Sequence, residues 1–142
     1  MRILIDTQCW LWWFLSPERL SRAARDVIAS ARDPLYLSAA SSWEIAIKMG
    51  LGKLKLPDRP AKYVPARLVE QGMNGLAVEH AHALRVAELP AHHADPFDRL
   101  LVAQAQLERM TLMTADPKIP VYDVETLWAG EGEAPRPRKS RR

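Results

Sequence analysis

The chain has 142 residues, 48% of them apolar and 26% charged, a length and balance that suit a single globular domain with one sizeable core. Its longest apolar run, Cys9 to Leu15, is too short to cross a membrane. No basic segment leads into an apolar stretch at the amino terminus, so neither a membrane segment nor a secretory leader is expected, and a cytoplasmic location is. The formal charge of +3 resides in the last fourteen residues, where Arg136, Arg138, Lys139, Arg141 and Arg142 outnumber Glu131 and Glu133, while residues 1–128 sum to zero.

The basic balance is therefore a property of the tail and excludes a broad basic face on the domain. Residues 129–142 lack the apolar side chains needed to pack, so the domain is expected to occupy 1–128 and the Pro/Arg-rich tail to be disordered. Such a tail either attracts RNA or an acidic partner over a distance or simply keeps the protein soluble. Cys9 is the sole cysteine. It suits a reducing compartment, and with no partner motif it reads as a small core residue rather than a nucleophile.

In chain order, Arg2 to Asp6 reads as a short buried strand ending in an acid. A helix over Gln8 to Leu15 stops at Ser16-Pro17. Ser21 then caps a second helix running to about Arg32, with Ala24, Val27, Ile28 and Ala31 on one face. Leu35 to Ser38 forms the second strand. Ser41 or Ser42 caps a helix that continues to Met49 and ends at Gly50 and Gly52. Pro57, Pro60 and Pro65 suggest a loop over Lys55 to Pro65, with a helix from Ala66 to Gln71. A short strand is expected at Leu76 to Val78 and a helix over Glu79 to Leu89, stopped by Pro90. Asp95-Pro96 opens an apolar helix from Phe97 to Arg109. Strands follow at Thr111 to Thr114 and at Val121-Tyr122. Strands alternating with helices imply an α/β sandwich around a parallel sheet, with its ligand site beyond the carboxyl ends of the strands.

Four acids border segments expected to be buried, where an unpaired carboxylate is costly. Asp6 ends the first strand, and Asp116 follows the strand ending at Thr114. Glu44 is the lone acid in Trp43-Glu44-Ile45-Ala46-Ile47, and Asp98 opens the most apolar helix. Brought together they would repel one another unless a cation neutralised them. Hard carboxylate oxygens suit Mg²⁺ or Mn²⁺, which activates water and stabilises a leaving oxygen in phosphodiester hydrolysis. Each acid has a structural explanation as well. Asp6 caps the next helix, Glu44 pairs with Lys48 one turn on, Asp95 caps its helix, Asp98 favours that helix's positive end, and Asp116-Pro117 is a turn pair. Residue pattern alone leaves these readings balanced.

The order of these acids, with Asp-x-Leu-Leu-Val-Ala at a helix start and Thr-x-Asp after a strand, resembles the PIN-domain family. Longer stretches resemble its VapC toxin subgroup: Leu11-Trp12-Trp13, Ser42 to Lys48, Gly52-Lys53-Leu54, Leu89-Pro90, His93 to Ala105, Leu112 to Asp116, Tyr122 and Trp128. The likeness covers residues 3 to 128. It implies a PIN-like three-layer sandwich, with a central parallel sheet flanked by helices. It also implies a Mg²⁺- or Mn²⁺-dependent endoribonuclease acting on RNA, neutralised by a cognate VapB antitoxin and assembled as a homodimer. By position, the resemblance makes Asp6, Glu44, Asp98 and Asp116 the catalytic, metal-holding set, with Asp6 and Asp98 the first choices for direct contact. Thr7 and Thr114 become supporting hydroxyls. Asp95 also matches a family position, with helix capping as its main role.

Trp10, Trp12, Trp13 and Phe14 diverge by about 100° per residue on a helix and cannot all face one core, so some are expected to meet a partner chain. His80, His82, His92 and His93 show no zinc spacing, and His92 and His93 read as surface loop residues near the acids. Arg99, Lys48 and Lys53 lie close enough in sequence to hold an RNA phosphate or balance the acids. Two other readings stand beside the nuclease. One is a phosphoryl-transfer enzyme with an aspartate nucleophile, disfavoured because Asp6-Thr7-Gln8 lacks a second acid. The other is a non-catalytic RNA- or protein-binding module on the same scaffold.

Overall fold

A computed structural model describes residues 1–135, so the five basic residues of the tail lie outside the described residues. Five strands form one sheet in the order β3-β2-β1-β4-β5: β1 (Ile3–Ile5), β2 (Leu35–Ser38), β3 (Asn74–Leu76), β4 (Thr111–Thr114) and β5 (Thr126–Trp128). Every neighbouring pair is parallel. Six α-helices join them: α1 (Thr7–Leu15), α2 (Arg22–Ser30), α3 (Ala39–Gly50), α4 (Pro60–Gln71), α5 (His80–Arg85) and α6 (Pro96–Glu108).

Strand alternation divides the core between the two faces of the sheet. Ile3, Ile5, Leu35, Leu37 and Met113 join Cys9, Trp10, Ile28 and Tyr63 in one apolar cluster, beneath α1, α2 and α4. Leu4 and Leu112 point the other way and meet Leu101, Val102 and Ala105 of α6. Buried on both faces, the central strands are continuous apolar runs, as a parallel sheet requires. This is the expected three-layer sandwich. No helix of the described residues is long and apolar enough to cross a membrane.

Several boundaries differ from the sequence reading. α4 starts at Pro60 and runs through Pro65, where a loop was expected. Pro60 sits at the first turn, where its missing N–H is no loss, and burial of Tyr63 and Val64 offsets the interior bond that Pro65 forfeits. α3 begins directly after β2 with Ser38 as its cap, accepting from the Ala40 N–H, whereas Ser41 is buried inside the helix. The third strand lies at Asn74–Leu76, and the last at Thr126–Trp128 rather than at Val121-Tyr122. The side chain of Tyr122 is instead buried beneath α6. The helix expected over Glu79 to Leu89 is α5 followed by a 3₁₀ turn, Val86–Glu88. Packing also continues past residue 128: Ala129 is buried, donating to the Thr114 carbonyl and accepting from the Ser21 N–H.

Candidate metal centre

β1 sits at the middle of the sheet, with β2 on one side and β4 on the other, so the chain reverses its direction of growth between β1 and β4. At such a switch point the connections diverge and leave a crevice beyond the strand ends. Asp6 follows β1 and Asp116 follows β4, which places both acids at this crevice. α3 and α6 supply the others. A cleft of about 250 Å³ is lined by Asp6, Thr7, Glu44, Asp95, Asp98 and Asp116, with Gln8, Trp12, Lys48 and Ala115 completing its wall.

Asp6 is nearly inaccessible and caps α1, accepting from the Cys9 N–H at 2.7 Å. Burial raises its pKa, and the hydrogen bonds from Thr114 and Cys9 pull the other way. Asp98 is pushed up to about 7, chiefly by burial and then by the carboxylates of Asp95 and Asp6. Both shifts have one cause: negative charge confined where little water reaches it. Cys9 lies against Asp6, and burial together with that carboxylate holds its thiol protonated, in keeping with a core role.

Glu44 unites its two sequence readings. Its Oε2 pairs with Lys48 at 2.8 Å, while its Oε1 is buried without a hydrogen-bond partner, in a side chain that lines the cleft. The supporting residues are equally built in. Thr7 donates to the Ser41 hydroxyl at 2.8 Å, and the Thr114 hydroxyl accepts from the Asp116 N–H at 3.0 Å. Asp95 caps α6, accepting from the N–H groups of Phe97 and Asp98, and its side chain also reaches the cleft wall.

Two residues depart from what sequence suggested. His93, expected on the surface, is half-buried and turned into the site: its Nε2 lies 2.7 Å from Asp116 Oδ2 and 3.1 Å from Asp98 Oδ2. With these two acids it forms a group whose ligand atoms lie within 4.8 Å of one another. Its proximity to Asp95-Pro96 in sequence was the available signal, but nothing in the pattern gave the ring's direction. Arg99 is not turned to the cleft as a phosphate ligand. It donates to the backbone carbonyls of Val86, Leu89, Pro90 and His93 and stands at the Tyr122 hydroxyl, stapling the loop before α6.

The aromatic run of α1 spreads around the helix as its periodicity requires. Trp10 is in the core against Phe14 and Tyr63, Trp12 edges the cleft beneath the Arg19 guanidinium, and Trp13 donates to Gln71. His82 is also buried, joined to Glu108 and Gln104 beside α6 and remote from the acids in its contacts.

Comparison with known proteins matches a PIN-domain model to residues 3–125. The chain belongs to the PIN-domain family. This PIN domain is 44% identical over 73 residues to Ribonuclease VapC16 of Mycobacterium tuberculosis, a match covering 46% of the chain and 52%, about half, of that relative. Ribonuclease VapC22 of the same organism is 27% identical over 118 residues, covering 82% of the chain and 88% of its own length. Among solved structures, VapBC2 from Rickettsia felis bound to a promoter DNA fragment superimposes with a TM-score of 0.66 at 14% identity, covering 91% of this chain and 99% of that one. FitAcB from Neisseria gonorrhoeae gives 0.59 at 20% identity, covering 88% and 96%. At these identities the structural likeness establishes the fold.

Proposed function

We propose that this PIN domain is the toxin of a type II toxin–antitoxin pair: a cytoplasmic, Mg²⁺- or Mn²⁺-dependent endoribonuclease that hydrolyses RNA phosphodiester bonds and is neutralised by a cognate VapB-type antitoxin. The observation that carries the proposal is the convergence of four carboxylates from separate elements in one cleft, with Glu44 Oε1 buried and unpartnered. The ribonuclease names of the two curated relatives support the activity, and a toxin–antitoxin complex from Klebsiella pneumoniae among the structural neighbours supports the partner. The homodimer remains part of the proposal on family resemblance.

The donor set fits a hard divalent cation, being carboxylate oxygen throughout. Asp6, Glu44, Asp98 and Asp116 would hold it. A cation bound there lowers the pKa of water for attack and neutralises charge on the leaving oxygen. The chain's own residues keep the carboxylates in place. Lys48 holds one oxygen of Glu44, and the other is buried without a partner. The Cys9 amide fixes Asp6, and the link from the Asp116 amide to Thr114 fixes the turn after β4. Trp12 and Gln8 form part of the wall along which a single strand of RNA would lie.

Incubation of the purified chain with RNA and Mg²⁺ or Mn²⁺ tests the reading. Cleavage is expected with wild type and should be abolished in Asp6→Asn and Asp98→Asn, each verified as folded by circular dichroism. Full cleavage by either variant would refute the site. Growth arrest that persists in Asp98→Asn would indicate a binding module instead.

A further inference from the structure

His93 is the imidazole that contacts the site carboxylates among the described residues, and its position is held from three sides. Its own N–H donates to the Tyr122 hydroxyl at 2.9 Å, and its carbonyl lies against Arg99, whose other bonds pin the preceding loop. The Asp95 N–H donates to Nδ1 at 3.1 Å. The Asp95 carboxylate in turn caps the helix that carries Asp98, so ring direction and helix start share one residue.

The bond from the Asp95 amide determines the tautomer. A nitrogen that accepts carries no proton, so the proton of the ring is on Nε2, the atom facing both Asp98 and Asp116. An Nε2 that bears a proton has no lone pair to offer a cation. It can donate to carboxylates.

We propose that His93 is a positioning residue whose Nε2–H clamps Asp98 to Asp116 and sets the spacing of that acid pair for a divalent cation. The proposal rests on the reading of the cleft as a cation site. It assigns His93 no direct ligation: the ring orients the two carboxylates through their Oδ2 atoms, and Asp116 is held a second time at Oδ1, which accepts from the Lys118 N–H at 2.9 Å. Hydrogen-bond partners of this kind fix the direction of ligands and typically alter metal affinity about 10- to 100-fold when removed. Asp98 and Asp116 come from α6 and from the turn after β4, and the His93 ring is the side chain that contacts both carboxylates.

The test uses the full chain without RNA, in three forms: wild type, His93→Ala and His93→Gln, whose amide nitrogen reaches the position of Nε2. Mn²⁺ titration by calorimetry is expected to show about a 10- to 100-fold loss of affinity in His93→Ala and recovery of most of it in His93→Gln. A merely structural residue would not be rescued selectively, because Gln does not replace the imidazole in packing. Equal affinity in wild type and His93→Ala, or equal weakening in both variants, would overturn the clamp. So would nitrogen hyperfine coupling in the spin-resonance spectrum of bound Mn²⁺, which would make His93 a ligand. A metal-free arm separates this proposal from the nuclease reading: ¹⁵N spectra of the histidines in EDTA are expected to show His93 protonated at Nε2. Protonation at Nδ1 overturns the proposal whether or not Mn²⁺ binds. Failure of wild type to bind Mn²⁺ counts against the cation site while the tautomer still decides the clamp.

Discussion

At Asp98, burial and the neighbouring carboxylates hold the pKa up to about 7, and Asp6 is raised for the same reason. The folded value lies above the unfolded one of about 4, so the folded state retains a proton that the unfolded chain releases. The associated stability is complete below about pH 4 and is lost as pH rises through 7. In EDTA, the melting temperature is therefore expected to fall between pH 5 and pH 8, and to fall less steeply in Asp98→Asn. Millimolar Mg²⁺ or Mn²⁺ should restore much of the loss at pH 8, because a bound cation favours the charged carboxylates. Identical slopes in wild type and variant would show that this carboxyl is not held up by its surroundings. Cys9 gives a second test at this scale. Its thiol is buried against Asp6 and kept protonated, so a thiol reagent should label the native protein negligibly and the unfolded protein stoichiometrically. Rapid labelling of the native state would contradict that environment.

Among the elements, α6 shows how a capping residue and a site residue come to be neighbours. Asp95 accepts from two N–H groups at the helix start and Pro96 occupies the first turn, a combination legible directly from Asp95-Pro96. Replacing Asp95 by Ala should cost about 1 kcal/mol in urea denaturation, and by Asn much less, since Asn also caps. An Ala variant as stable as wild type would remove the capping role. The start of α3 was less legible. Ser38, Ser41 and Ser42 all have the chemistry of a cap, and the cap is Ser38, whose hydroxyl accepts from the Ala40 N–H and donates to the Gln104 amide oxygen of α6 at 2.6 Å. Ser41, one turn further in, meets Thr7 instead. α4 departs from its sequence pattern for a related reason: proline marks a helix start and a helix break alike, and burial of Tyr63 and Val64 distinguishes Pro60 from the breaker it resembles.

For the molecule as a whole, the parallel sheet and its switch point bring residues 6, 44, 98 and 116 to one cleft, although they lie far apart in the chain. The last buried residues among those described are Ala129 and Gly130, and a Cβ at Gly130 would come within 2.7 Å of the Trp128 ring. A chain ending at Pro135 is accordingly expected to melt with wild type. Because the five basic residues beyond that point supply the positive balance, the shortened chain should bind RNA more weakly at low salt, and the difference should shrink as salt rises. A large drop in melting temperature would show instead that the tail contributes to packing. The sequence by itself determined which residues could serve: apolar runs set β1, β2 and β4, capping chemistry set the starts of α1, α2 and α6, and acids at element ends were visible because those ends are local features of the chain. Tertiary structure decided what those residues face. That Arg99 is consumed by backbone carbonyls and that His93 turns inward between two acids depend on hydrogen bonds between segments brought together only by the path of loops, which leave no period in the sequence.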